Sequence, residues 1–201
     1  VPEGAVWREA FFGDFELRGT QVVADGYAKP LANMHVFNVV DMAYSANSAA
    51  DYTSVMTFGG DTETGNLFVL DVMRFRVDAL GTEGAAEHRM FIAGQRARHG
   101  AAYTIVESGS FASRIIELMH ADGEPVRAVR ADRKKIARAY SAIPWGEARK
   151  LFVDRGAAWW SILWVELSRF RGDDRDHDDQ ADCLAYGVLH WREMLTTGWN
   201  I

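Results

Sequence analysis

The run His35-Val-Phe-Asn-Val-Val-Asp41 constrains this chain more than any other segment. Apolar, mostly β-branched side chains at successive positions leave no face for solvent, so the run reads as a buried central strand. It ends in a carboxylate. After a Ser/Asn/Ala-rich turn at 44–50, residues 52–58 read as a second strand and 67–76 as a third, with Gly59-Gly60-Asp61 through Gly65-Asn66 as the hairpin turn between them. Three strands joined by short turns form an antiparallel meander.

Past residue 80 the hydrophobic period changes. Residues 82–99 suit a helix stopped at Gly100, and 103–107 form a short apolar strand that again ends in a carboxylate, Glu107. Ser108-Gly109-Ser110 opens a helix to about His120, which Asp122-Gly123 closes. A strand at 125–130, a helix at 132–140, a short edge strand at 150–153 and helices at 159–170 and 176–195 complete the chain. The order βββαβαβα(β)αα predicts an α/β fold with a central mixed sheet, antiparallel in its first three strands and then parallel, flanked by helices. Residues 1–34 mix Trp7, Phe11, Phe12 and Phe15 with glycine and charge. They are expected to be an N-terminal strap or the remnant of an interdomain linker, with the domain proper at 35–201.

The 201 residues are enough for one generous α/β domain with a sizeable core. The single cysteine, Cys183, excludes an internal disulfide and a cysteine-based zinc site. No apolar stretch approaches the ~20 residues of a membrane span, and Val1-Pro2-Glu3 does not begin a signal peptide. The missing initiator Met predicts a fragment or a processed chain. The net charge of −6 argues against a generic nucleic-acid binder, but its distribution is uneven. Residues 127–138 are strongly basic and 173–182 strongly acidic, and cations bound at an acidic cluster would cancel much of the net charge.

Three acidic features therefore occupy comparable places: Asp41 and Glu107 at strand ends, and Asp178/Asp179 near the start of the last helix. If the two strands are neighbours, two carboxylates stand side by side at one sheet edge and the helix brings a third. Such a cluster repels itself unless a hard divalent cation neutralises it, and oxygen-only ligation suits Mg2+ or Mn2+. Two such ions roughly 3.5–4 Å apart can clamp the attacking and leaving oxygens of a phosphodiester. Asp182 shares a helix face with Asp178 and Asp179 and stands either as a further ligand or as a favourable first-turn charge. His177 is placed beside the ligands rather than among them. Asp51, Asp61 and Asp71 are read as structural or solvent-facing. Arg130, Arg133, Lys134, Lys135 and Arg138 form either a solvated face or a grip on backbone phosphates.

With those residues assembled, the chain resembles the C-terminal nuclease domain of the large terminase subunit of tailed bacteriophages. The resemblance covers about residues 35–195. It rests on Val39-Val40-Asp41-Met-Ala with Asp51-Tyr-Thr after it, Leu67-Phe-Val-Leu-Asp71-Val-Met-Arg74, Ile105-Val106-Glu107-Ser-Gly, the Lys134/Lys135 and Arg138 segment, and His177-Asp178-Asp179-Gln180-Ala181-Asp182-Cys183-Leu184. It implies an RNase H-like fold of the resolvase-like branch and two-metal cleavage of concatemeric viral double-stranded DNA during genome packaging. It implies that Asp41 bridges both metals, Glu107 binds one, and Asp178 and/or Asp179 complete the set. It further implies an ATPase motor domain, a portal protein and a small terminase subunit as partners, in the host bacterial cytoplasm. No G-x-x-x-x-G-K-[ST] phosphate loop occurs in these residues, so the chain is expected to be the nuclease half without its motor. Three rival readings exist. Another RNase H-like nuclease, such as a Holliday-junction resolvase, would use the same acids. A metal-free glycoside hydrolase would use Asp41 and Glu107 and leave the acidic helix start unexplained. A non-catalytic DNA-docking or assembly module would keep the fold alone.

Overall fold

The β-branched run at 35–41 does form a strand, and its two faces see different helices. The computed structural model describes residues 6–42, 52–77, 81–130, 134–172 and 178–197; the expected turn at 44–50, with Asp51, Arg133 and His177, lies outside the described residues. The strands are β1 (Phe12–Asp14), β2 (Glu16–Arg18), β3 (Gln21–Ala24), β4 (Tyr27–Pro30), β5 (His35–Asp41), β6 (Thr53–Gly60), β7 (Leu67–Phe75), β8 (Thr104–Glu107), β9 (Val126–Val129) and β10 (Leu151–Val153). The helices are α1 (Gly81–His99), α2 (Ser110–Ala121), α3 (Lys135–Glu147), α4 (Ala158–Arg169) and α5 (Asp179–Thr197).

Among the described residues, seven strands make the central sheet in the order β1-β10-β7-β6-β5-β8-β9, and β2-β3-β4 make a separate small sheet. β5, β6 and β7 pair antiparallel, whereas β8 pairs parallel with β5, β9 with β8, and β10 with β7. The mixed sheet is thus the one the element order predicts. Side chains alternate between faces along a strand. Phe37 and Val39 of β5, with Tyr103 and Ile105 at β8, face α3, α4 and α5 in the largest core cluster, which also holds Trp191, Leu184 and Leu163. Val40 and Val106 face the other way, into a second core with Ile92 of α1 and Ile115 of α2. Phe68 and Leu70 on that second side are covered by Val22 from the small sheet and by Phe15, which links β1 to β2.

Several local expectations are corrected. Within the segment expected to be a strap or linker remnant, residues 12–30 form strands: β1 extends the central sheet by pairing with β10, and β2–β4 cover its far side. The strand at 151–153 is interior, with β7 on one side and β1 on the other, rather than an edge. Gly59 and Gly60 belong to β6 and not to the hairpin turn. Asp61 makes that turn instead: its buried carboxylate accepts from Thr64 Oγ1 (2.7 Å), Glu63 N (3.1 Å), Lys29 Nζ (2.6 Å) and Tyr27 OH (3.1 Å), which also ties the small sheet to the large one. α3 continues past Tyr140 through Pro144 to Glu147, because Ala139, Ala142 and Gly146 keep it packed on the core.

Glycine sets how closely α5 lies on the sheet. A Cβ on Gly60 would overlap the Trp191 ring, and one on Gly187 would overlap the Phe58 ring. Gly187→Ala is therefore expected to destabilise the protein, although alanine is favoured over glycine inside a helix by about 1 kcal/mol. The overlap costs about 1–3 kcal/mol in a packed core and outweighs that gain. A lower midpoint in urea unfolding is the expected result; an unchanged or higher midpoint would show that the α5–sheet contact can relax.

Candidate active site

β5 and β8 run parallel with Val40 level with Val106, so the next residues, Asp41 and Glu107, end their strands side by side. They follow Val39 and Ile105 by two residues, so both carboxylates project to the face that α5 covers. α5 begins above them. Its Cys183 Sγ lies 3.6 Å from both Val39 O and Ser54 O, which places the start of the helix, at its second turn, directly over β5 and β6. Asp178 precedes α5 and Asp179 and Asp182 lie in its first turn, where the helix dipole favours negative charge. The three acidic features thus meet at one end of the sheet.

The start of α5 is fixed by a residue that the sequence reading missed. Glu166, from the Trp-rich helix α4, accepts from Gln180 N (2.7 Å), Ala181 N (2.9 Å) and Gln180 Nε2 (2.5 Å). It thereby satisfies backbone donors that the first turn of a helix leaves open. Its only sequence signal is a lone acid in an otherwise apolar helix. Burial pushes the Glu166 carboxyl up, against those hydrogen bonds and Arg74.

Burial and mutual repulsion dominate the electrostatics. Asp41, half-buried, is held well above the usual carboxylate range by desolvation, then by Asp182 and Asp179, with Lys135 opposing. Asp179 is pushed up to about 6 by burial, Glu166 and Asp178. Burial also raises Asp178 and Asp182, against the cations beside them. Two basic residues of α3 enter the cluster. Arg138, only 2% exposed, reaches Asp182, 1% exposed, through Nη2 (2.9 Å) and Nε (3.3 Å), and its Nη2 stands 3.7 Å from Glu107. Its guanidinium lies 4.4 Å over the Tyr186 ring. Lys135 Nζ lies 2.7 Å from Asp178 Oδ1 and 3.4 Å from Asp182 Oδ2. Arg138 is therefore turned inward onto the carboxylates rather than out to solvent. Arg130 and Lys134 are exposed, and Arg130 lines a groove of about 700 Å3 with Arg192 and Tyr186.

Oxygen donors alone make up the acidic set, and Asp179 Oδ2 is buried with no hydrogen-bond partner. Among the described residues, six carboxylates (Asp41, Glu107, Glu166, Asp178, Asp179, Asp182) act on one another here against three cations (Arg74, Lys135, Arg138). Among the described residues, carboxylates thus outnumber cations in a largely buried cluster, and such an excess, with a carboxylate oxygen lacking a hydrogen-bond partner, suits a hard divalent cation. Among the described residues, however, no three of these side chains close into a finished ligand shell. Asp178 and Asp182 are drawn to Lys135 and Arg138 instead.

No protein-family model and no curated protein matches the chain. Solved structures do. The large terminase nuclease from thermophilic phage G20c, determined with bound magnesium, superposes with a TM-score of 0.65 at 17% identity, over 94% of this chain and 98% of that one. The human cytomegalovirus terminase nuclease domain, manganese-soaked and inhibitor-bound, gives 0.59 at 10% identity over 85% and 90%. The large terminase from another thermophilic bacteriophage gives 0.59 at 13% identity over 93% of this chain and 43% of that one. The chain has the RNase H-like fold of the large-terminase nuclease domains, with its carboxylates gathered at one end of the central sheet.

Proposed function

We propose that the chain is a metal-dependent endonuclease that cuts concatemeric viral double-stranded DNA during genome packaging. The observation that carries this is the meeting of Asp41, Glu107 and Asp179 from two parallel strand ends and one helix start, with Asp179 Oδ2 buried and unpartnered. Asp41, Glu107 and Asp179 would hold the metal, with Asp178 completing the set for a second ion. Two Mg2+ or Mn2+ ions would supply a nucleophilic hydroxide at neutral pH and charge neutralisation at the leaving oxygen.

The protein's own contribution is positioning. Glu166 fixes the first turn of α5, and with it Asp178 and Asp179, by three hydrogen bonds. Asp182 is committed to Arg138 on both carboxylate oxygens, so it serves to place Arg138 near Glu107 rather than to bind metal. Exposed Arg130 and Lys134 beside the cleft are suited to backbone phosphates, which carry no sequence information. Cleavage is accordingly expected to be nonspecific. An ATPase motor domain, portal protein and small terminase subunit are the proposed partners, and the host bacterial cytoplasm the proposed place of action. The terminase neighbours and the motifs favour this over a branched-DNA resolvase.

The test is incubation of supercoiled plasmid with the protein in Mg2+, Mn2+ or EDTA, comparing Asp179→Asn with Asp178→Asn. Cleavage is expected with either metal and none in EDTA, with the larger loss at Asp179. Cleavage that persists in EDTA contradicts the mechanism.

A further inference from the structure

We propose that Lys135 occupies the place of one divalent ion while no DNA is bound, and that a DNA phosphate draws it away. Metal loading and DNA binding would then be coupled through one ammonium group. This rests on the reading of the cleft as a metal-dependent nuclease centre.

The two cations of α3 are held differently. Arg138 is 2% exposed, bound to Asp182 on both oxygens and stacked on Tyr186, so it has no room to leave. Lys135 is 39% exposed and on a flexible stem, and among the described residues its one short contact is the 2.7 Å hydrogen bond to Asp178; Asp182 stands 3.4 Å away. Lys135 is also the first residue of α3, the end of a helix that disfavours a cation. Its position there is held by the carboxylates and not by its own helix. Asp182 is also paired with Arg138, so among the described residues Asp178 is the acid whose short ion pair is with Lys135; at longer range the ammonium also opposes the charge of Asp41.

Two consequences follow. A second dication that takes Asp178 must displace the ammonium, and until then it meets a like charge in a poorly solvated cleft. A phosphate arriving beside exposed Lys134 and Arg130 offers Lys135 another anion at the cleft mouth, and its departure frees Asp178. Each ligand thus improves the other's binding, reciprocally, as any such coupling must. Asp41, Glu107 and Asp179 have no short contact with Lys135 and remain for the first ion.

Mn2+ titration of the metal-free protein, following free Mn2+ by electron paramagnetic resonance, tests this on wild type, K135Q and K135M. Each titration is run alone and with a short DNA duplex, whose phosphates persist whether or not it is cut, and corrected for Mn2+ taken up by the duplex. Without DNA, both variants are expected to bind the second ion roughly tenfold more tightly than wild type, within the usual range of coupling between sites. Adding duplex should close most of that gap in wild type and leave both variants nearly unmoved. Two variants are used so that a folding defect in one does not decide the outcome. Equal stoichiometry and equal affinities in wild type and variants, with wild type binding Mn2+, overturn the role of Lys135 and leave the nuclease reading intact. Failure of wild type to bind Mn2+, with or without DNA, overturns the metal-dependent reading itself.

Discussion

Asp41→Asn is expected to abolish DNA cleavage while raising the melting temperature of the metal-free protein. The loss of activity should be on the order of 10^3-fold, which corresponds to several kcal/mol of lost transition-state charge stabilisation. The gain in stability follows from the site's electrostatics. Asp41 is pressed by burial and by Asp182 and Asp179 into favouring its neutral form, so removing its charge relieves the fold. A group whose pKa is raised by folding stabilises the folded state below its unfolded value and loses that contribution as pH rises through the folded value. For Asp179, pushed up to about 6, that window runs from about pH 4 to about pH 6. Metal-free wild type should therefore lose stability across that interval, and Asp41→Asn should lose less. Each kcal/mol relieved raises the midpoint by about 2–4 °C for a chain of this size. Activity lost together with a lowered metal-free midpoint would mean that Asp41 is a structural residue, and the account of the cleft would be wrong.

Arg138→Ala should cause the largest loss of stability. Arg138 and Asp182 are 2% and 1% exposed, so removing the guanidinium leaves a carboxylate buried beside Asp41 and Glu107 with its nearer counter-charge gone and the half-exposed Lys135 ammonium 3.4 Å away. Breaking a buried pair from one side costs about 3–5 kcal/mol, whereas an exposed pair contributes about 1 kcal/mol or less. A fall of roughly 10 °C in the midpoint is expected. Removing both charges with Arg138→Met and Asp182→Leu together should recover most of that loss, because apolar residues of similar volume replace buried ion pairs at little cost. Urea unfolding of the two single variants and the pair measures the coupling. A cost below about 1 kcal/mol for Arg138→Ala would show that the pair is effectively solvated.

The sequence announced the parts of the fold whose signals are local and strong. Residues 35–41 and 104–107 carry dense β-branched runs, and their parallel pairing puts Asp41 and Glu107 together. The acidic start of α5 was legible because carboxylates at a helix N-terminus precede a long apolar face. β1 to β4 were not legible: strands of three or four residues with exposed side chains depend on pairing and on Phe15 and Val22 reaching Phe68. Gly59 and Gly60 have turn composition, but the Trp191 ring needs the missing side chain of Gly60, a tertiary demand with no local trace. Arg138 shared helical spacing with exposed cations, and only the placement of Asp182 across from it turns it inward. Glu166 was hidden for the same reason, since its role depends on the start of α5 lying 14 residues further along.

The assignment of the cleft as the metal centre is tested most directly by anomalous diffraction from crystals soaked in Mn2+, recorded at the manganese edge. The account predicts a strong peak among the carboxylates of Asp41, Glu107 and Asp179, with a weaker second peak near Asp178. A crystal that takes up manganese elsewhere and shows no peak among those carboxylates would contradict it.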